Sequence, residues 1–199
     1  MTTTKFSLHR MADCAPSLWK NGKGETFQRF ILPVNSDLTN FDVRISMARV
    51  QTDGPFSIFP NINRHLMVLE GRGLTLTSSY FDSIELNAES SAFEFDGQWH
   101  IDSRLLDQEV LDFNVMVKKD YYHAGVNKVR LLPGKLVFPP SSMLLLLLLA
   151  PALISTPIGD VSVNKYDLLQ LAAGEAIYLL GEIELDVIQV DLILTDVDG

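Results

Sequence analysis

The 199-residue chain is 47% hydrophobic and 21% charged, the balance of an ordinary globular protein, and its length suits one large domain or two small ones. Sixteen Lys and Arg against 25 Asp and Glu leave a net charge of −9 with no basic run. That distribution argues against phosphate-driven nucleic-acid binding and against attraction to an anionic membrane. The lone cysteine, Cys14, excludes an intrachain disulfide, and the stretch MTTTKFSLHRMADCAP lacks the apolar centre of a signal peptide, so a cytoplasmic location is expected.

Helical periodicity is scarce along the chain. Asn21-Gly22 within WKNGKGET marks a turn anchored by Trp19, and the absence of G-x-x-x-x-G-K-[ST] rules it out as a phosphate loop. FDVRISMARV alternates, with Phe41, Val43, Ile45 and Met47 on one face and Asp42, Arg44 and Ser46 on the other. Turn signals follow at Asp53-Gly54-Pro55, Gly71-Arg72-Gly73 and Asp96-Gly97. DFNVMVKK sets Phe113, Val115 and Val117 opposite Asp112, Asn114 and Met116. MLLLLLLAPALI (residues 143–154) is interrupted by Pro151 and falls well short of the roughly 20 apolar residues of a membrane helix. It is expected as a strand or short helix buried on all sides, or as one face of a subunit interface. DVIQVDLIL places Ile188, Val190, Leu192 and Leu194 together. Many short strands with turns between them predict an all-β sandwich or barrel. A weak echo between LMVLEGRGLTL (66–76) and IYLLGEIELDV (177–187) suggests two copies, with a boundary near residues 123–134. The predicted units are residues 1–125, which include the N-terminal strands, and residues 126–199.

The histidines are His9, His65, His100 and His123, with no H-x-H and no C-x-x-C. Metal-binding β-barrels of the cupin type carry His-x-His and then Glu ahead of a strand that ends near a glycine. Counting back from Gly71 puts Arg64 at the carboxylate position and Ile58 and Pro60 at the histidine positions, so neither a metal nor another cofactor is expected. A guanidinium in that place reverses the charge preference from cation to anion, and its fork of donors suits a carboxylate or phosphate. Arg44 is a second candidate cation; the alternative is that both arginines pair with internal acids such as Asp42 or Glu70. His100 ends a Gly-x-x-His spacing, whereas His65 alternates away from Arg64 and reads as a packed core residue. No G-x-S-x-G is present, and Cys14 has no histidine motif beside it.

Three blocks carry a resemblance: PSLWKNGKGET (16–26), FDVRISMARVQTDGPFSIFPNINRHLMVLEGRGLTL (41–76) and FEFDG…LLDQEVLDFNVM (93–116). Together they resemble the HutD/Ves family. The resemblance implies an all-β bicupin, two double-stranded β-helix (cupin, jelly-roll) barrels, usually without metal, in proteins linked to histidine utilisation or stress responses. It implies a regulatory, metal-independent binder of a small carboxylate such as urocanate or formylglutamate, with no firmly attached catalytic activity. The candidate ligand-binding residues are Arg64, Arg44, Ser46, Ser57, His100, Asn114, Trp19 and Asn21. Departures from the family pattern are Lys23 in the usual N-G-G-G, Gln28 where a glutamate is common, and Gln98 where an aspartate is common. A metal-free isomerase or epimerase using a His–carboxylate pair is the alternative function, and a homodimer is an open arrangement.

Overall fold

Period-two alternation is realised through the described residues 6–19, 22–139 and 143–195 of the computed structural model, which form strands and turns with no helix among them. None of the described residues therefore forms a helix long and apolar enough to cross a membrane. In chain order the strands begin with β1 (Ser7–His9), β2 (Ser17–Leu18), β3 (Gly24–Leu32), β4 (Val43–Val50) and β5 (Gly54–Pro55). They continue with β6 (Ile62–Glu70), β7 (Leu74–Thr77), β8 (Ile84–Leu86), β9 (Phe93–Asp96), β10 (Asp102–Leu105) and β11 (Val110–Lys118). The remaining strands are β12 (Tyr122–Leu131), β13 (Leu136–Val137), β14 (Met143–Leu148), β15 (Ala152–Thr156), β16 (Gly159–Val163), β17 (Leu168–Ala172), β18 (Ile177–Leu180) and β19 (Leu185–Leu194).

Two units result. The first, Ala15–Tyr122, has a large sheet ordered β2-β3-β4-β11-β6-β9 and a small sheet ordered β5-β10-β7-β8. The second has a large sheet ordered β1-β17-β14-β19-β12 and a small sheet ordered β13-β18-β15-β16. Adding eight to each label turns the small sheet of the first unit into that of the second, and β4-β11-β6-β9 into β12-β19-β14-β17. The chain is therefore a duplicated jelly-roll topology.

This equivalence corrects the register of the sequence echo. Residues 66–76 span β6 and β7, whose counterparts are β14 and β15, the leucine run; residues 177–187 span β18 and β19, counterparts of β10 and β11. An apolar strand that ends at a glycine looks alike wherever it falls, so the match lay in pattern and not in position. The predicted assignment of the N-terminal strands to the first barrel also changes. β1 pairs antiparallel with β17 (Ser7 with Gln170, His9 with Leu168), so residues 6–14 belong with His123–Thr195.

Each unit closes on its own core. In the first, Val50, Leu66, Val68 and Phe95 of the large sheet meet Leu74, Leu76 and Leu86 of the small one. In the second, Leu144, Leu146 and Leu148 pack with Leu169, Leu171, Ile154, Ile177 and Leu179. The leucine run is thus the strand β14, hydrogen-bonded between β17 and β19, with Leu144 to Leu148 at most 1% exposed. Leucines on both faces of one strand explain the unbroken apolar text.

Asp167 ties the N-terminal arm to the second unit. Its carboxylate accepts from Arg10 Nη1 (3.0 Å), Met11 N (2.8 Å) and Asn164 N (3.0 Å), with the side chain 2% exposed. Asp167→Ala leaves two backbone amides short of an acceptor and is expected to cost about 1–3 kcal/mol in urea-induced unfolding. Protease nicking near residues 6–14 should also become faster. Gly71 turns β6 into β7 at φ +94°, and a Cβ there would lie 2.3 Å from the Glu109 carbonyl oxygen. Gly71→Ala is therefore expected to destabilise by more than about 1 kcal/mol, lowering Tm by at least roughly 2–4 °C.

Candidate functional site

The site is set by register in the large sheet of the first unit. Met116 on β11 stands opposite Arg44 on β4 and Arg64 on β6, and Arg64 in turn stands opposite Phe95 on β9. One pleat further along, Asn114 stands opposite Ser46 and Leu66; one more, Asp112 stands opposite Ala48 and Val68. Directly opposed residues share a sheet face. Leu66, Val68 and Phe95 of this face belong to the core shared with the small sheet, so Arg44, Ser46, Arg64, Asp112, Asn114 and Met116 all point into the barrel interior.

Burial deepens along this face. Gln28 is exposed and Arg44 half-buried, whereas Arg64 is 5%, Asn114 9% and Asp112 3% exposed. Arg44 donates from Nε to Gln28 Oε1 (3.2 Å) and from Nη1 to Ser46 Oγ (3.2 Å), and its Nη1 also lies 3.8 Å from Met116 Sδ. Arg64 donates from Nη1 to the Ser57 carbonyl (3.1 Å) and has its guanidinium carbon 4.9, 5.2 and 5.8 Å from the ring centroids of Phe95, Phe56 and Phe59. Ring faces stabilise the charge, yet they leave in-plane N–H donors unspent. Arg64 Nε is buried without a hydrogen-bond partner, as are Asp112 Oδ1 and Asn114 Oδ1.

The electrostatics follow from this burial. Desolvation lowers the Arg64 pKa to about 10; Asp112 opposes that shift and Arg44 adds to it. Desolvation also lowers Arg44, again against the pull of Asp112. Asp112 is raised to about 7 by burial, against the attraction of Arg64, a backbone hydrogen bond at Ala48 and the attraction of Arg44. The partial acid partner of the arginines is thus Asp112, not Asp42 or Glu70, and among the described residues no ion pair within 4 Å joins it to either guanidinium. Asp42 pairs with Lys118 instead (3.2 Å).

The predicted residues divide on this map. Arg44, Ser46, Arg64 and Asn114 converge, and Trp19 packs on the same core while donating from Nε1 to Thr26 Oγ1 (2.8 Å). Ser57 is exposed and contributes its carbonyl oxygen, not its hydroxyl. His100 is exposed in the β9–β10 connection, with its carbonyl accepting from Ser78 Oγ (2.8 Å), and no described contact brings it to the arginines. Asn21 lies outside the described residues. His65 is on the opposite face of β6, with Nδ1 4.0 Å from Glu94 Oε2, and burial depresses its pKa. The candidate list lacked Asp112, Gln28 and the three phenylalanines around Arg64. Alternation in DFNVMVKK already put Asp112 on the face of Asn114, which was the available signal.

A metal fits this donor set poorly. Among the described residues no three His, Cys, Asp or Glu gather to hold an ion. The groups that do converge are two guanidiniums, which repel a cation.

Comparison with known proteins identifies the family and the fold. Protein Ves of Cronobacter sakazakii is 32% identical over 111 residues, 55% of this chain and 59% of its own length. An uncharacterized 21.2 kDa protein in the hutC 3′ region of Pseudomonas putida is 31% identical over 121 residues, 61% of this chain and 63% of its own length. The match thus spans less than two thirds of either curated relative. Among solved structures, a conserved protein of unknown function from Pseudomonas aeruginosa PAO1 is 28% identical with a TM-score of 0.84, covering 96% of this chain and 100% of that one. HutD from Pseudomonas fluorescens SBW25, in a formate condition, is 25% identical with a TM-score of 0.79, covering 96% and 99%. A bacterial pirin from Escherichia coli, 10% identical with a TM-score of 0.68 over 96% and 100%, shares the fold alone. The sequence model of the HutD family matches residues 11–188, and the chain accordingly belongs to the HutD family, with an all-β fold of the cupin jelly-roll class.

Proposed function

We propose that this protein binds a small carboxylate, without a metal, in the interior of the first barrel, and that it serves a regulatory role through that binding. The observation that carries the reading is the pair of arginines on either side of Met116, one of them buried with Nε unpartnered. Two strand spacings separate them, roughly 10 Å between Cα atoms. An anion held between them relieves their mutual repulsion and completes the hydrogen bonding of Arg64. Hydrogen bonds to charged groups contribute about 1.5–3 kcal/mol each in favourable settings.

The name of the relative in the hutC 3′ region supports looking for the ligand among intermediates of histidine breakdown, with urocanate and formylglutamate as the first candidates. An isomerase reading needs a histidine in the cavity. His65 faces the other way, His100 and His123 are exposed, and His9 lies on β1 of the second unit. Binding is therefore the better supported function.

Thermal unfolding against urocanate, formylglutamate, glutamate and formate, with chelator present, tests the reading. A ligand at 100 times its Kd stabilises by ~2.7 kcal/mol, or roughly 5–11 °C. The shift is expected to vanish in Arg64→Ala; no shift with any compound would count against the proposal. Ionisation of Asp112 near pH 7 changes the interior from two net positive charges to one. Affinity for a simple carboxylate is therefore expected to rise as pH falls from 8 to 6, by roughly 3–10-fold. Titration calorimetry at both pH values reads this directly, and Asp112→Asn should flatten the dependence.

A further inference from the structure

The second barrel carries a polar group of its own. Asp191 and Gln189 on β19 stand opposite Leu144 and Leu146 of β14. Both leucines belong to the second core, so the two polar side chains share its interior face. β12 flanks β19 on the other side, with Val129 packed against that core. Alternation brings Asn127 and Gly125 to the same face. A Cβ at Gly125 would lie 3.8 Å from Cβ and Oδ2 of Asp191 and 4.0 Å from Asn127 Nδ2, which puts the three residues side by side. Burial falls along this face of β19 from Val187, 0% exposed, through the half-buried Gln189 and Asp191 to Ile193, 48% exposed. The group therefore sits where the interior opens to solvent.

Packing leaves two features of this group unexplained. Gln189 Nε2 donates to Asp191 Oδ2 (2.8 Å), yet Asp191 Oδ1 is buried without a hydrogen-bond partner. Among the described residues no ion pair within 4 Å involves this carboxylate. A desolvated carboxylate oxygen is costly unless it is paired. The second feature is Gly125. Glycine weakens a strand, and its usual reasons for being there are a positive φ or a backbone too close for a side chain. Neither holds here, because φ lies outside the left-handed region and an added Cβ would meet only ordinary van der Waals distances. Glycine instead keeps Asp191 open to approach from β12, which is the third circumstance in which strands carry it.

We propose that this group is a second binding site, for a primary alkylammonium. Such a cation carries three N–H donors. The group offers three acceptors: the Asp191 carboxylate and the carboxamide oxygens of Gln189 and Asn127. Gln189 already turns its nitrogen to Asp191, which leaves its oxygen to accept, and the Asn127 amide can rotate to present its own. Asp191 Oδ1 takes the charge-assisted bond. Ile193, next on the same face, receives the alkyl chain. The corresponding sheet of the first barrel presents guanidiniums, so the two interiors select opposite charges.

NMR titration of the full, isotopically labelled chain with propylammonium tests the site. Saturable shifts in the millimolar range are expected at the backbone amides of Gly125, Asn127 and Asp191. N,N,N-trimethylpropylammonium keeps the charge and the chain but has no N–H. It should bind weaker by roughly tenfold or more, because a site that receives donors rejects the analogue lacking them. Asp191→Asn removes the charge at nearly constant shape and should abolish saturation. Gly125→Val fills the space beside Asp191 with a residue that strands favour, so Tm should hold while binding weakens by roughly tenfold. If that variant fails to fold, Gly125→Ala replaces it, with a several-fold loss expected. Arg64→Ala should leave the titration unchanged; loss of binding there would overturn the assignment to the second barrel. Equal binding of the two ammonium ions overturns the hydrogen-bonded site and leaves general attraction of a cation to an acidic protein. Binding that survives Asp191→Asn, or shifts that never saturate, overturns the proposal.

Discussion

The buried guanidinium of Arg64 is the constraint around which the first barrel is arranged. A charge 5% exposed in a protein interior needs compensation from its surroundings, because desolvation costs several kcal/mol even after relaxation. Three phenylalanine rings, one backbone carbonyl and the field of Asp112 supply part of it. None of them uses Nε. After these contacts the buried guanidinium still keeps one unspent donor, and the proposed function rests on that surplus.

The two units fill equivalent sheets differently. The second unit places leucine after leucine on β14, the counterpart of the Arg64 strand, and packs Leu144, Leu146 and Leu148 with Leu169, Leu171, Ile177 and Leu179, with Asp191 and Gln189 of β19 as the polar residues opposite Leu144 and Leu146. The first unit interrupts the same face with Arg44, Ser46, Arg64, Asp112 and Asn114. One topology thus gives two outcomes that depend on a handful of inward positions. Fold and function separate along those positions, as they do whenever a site is grafted onto a common scaffold.

Much of this was legible in the text of the chain. Alternation at residues 41–50 and 112–119 grouped residues by face correctly, because successive side chains of a strand point to opposite sides, although β11 turns out to be buried on both faces. Counting back from Gly71 singled out Arg64, which the structure buries on the interior face. Ser57 and His100 were less legible, since backbone carbonyls and loop directions leave no trace in residue type. The N-terminal strand was misassigned for a related reason. Pairing with β17 spans more than 150 residues of sequence, and SLH carries too little pattern to name a partner so distant. The aromatic shelf around Arg64 joins Phe95 of β9 to Phe56 and Phe59 of the β5–β6 connection, so only the folded chain assembles it.

Asp112 links the site to the stability of the unit that holds it. Its folded pKa, about 7, is raised above the ordinary value of 3.8, with burial as the largest cause. A group shifted in that direction favours the native state most fully below its unfolded pKa, and that contribution is lost as pH rises from about 4 through about 7. At pH 8 the interior face therefore holds an ionised carboxylate with an unpartnered oxygen, on the same face as an arginine with an unpartnered nitrogen. Under the proposed function an anion that completes the hydrogen bonding of Arg64 also stabilises the unit that holds it, so binding and local stability are two readings of one equilibrium. Replacing Arg64 and Asp112 together with leucines would remove two desolvated charged groups from the interior, an exchange that is often neutral or stabilising.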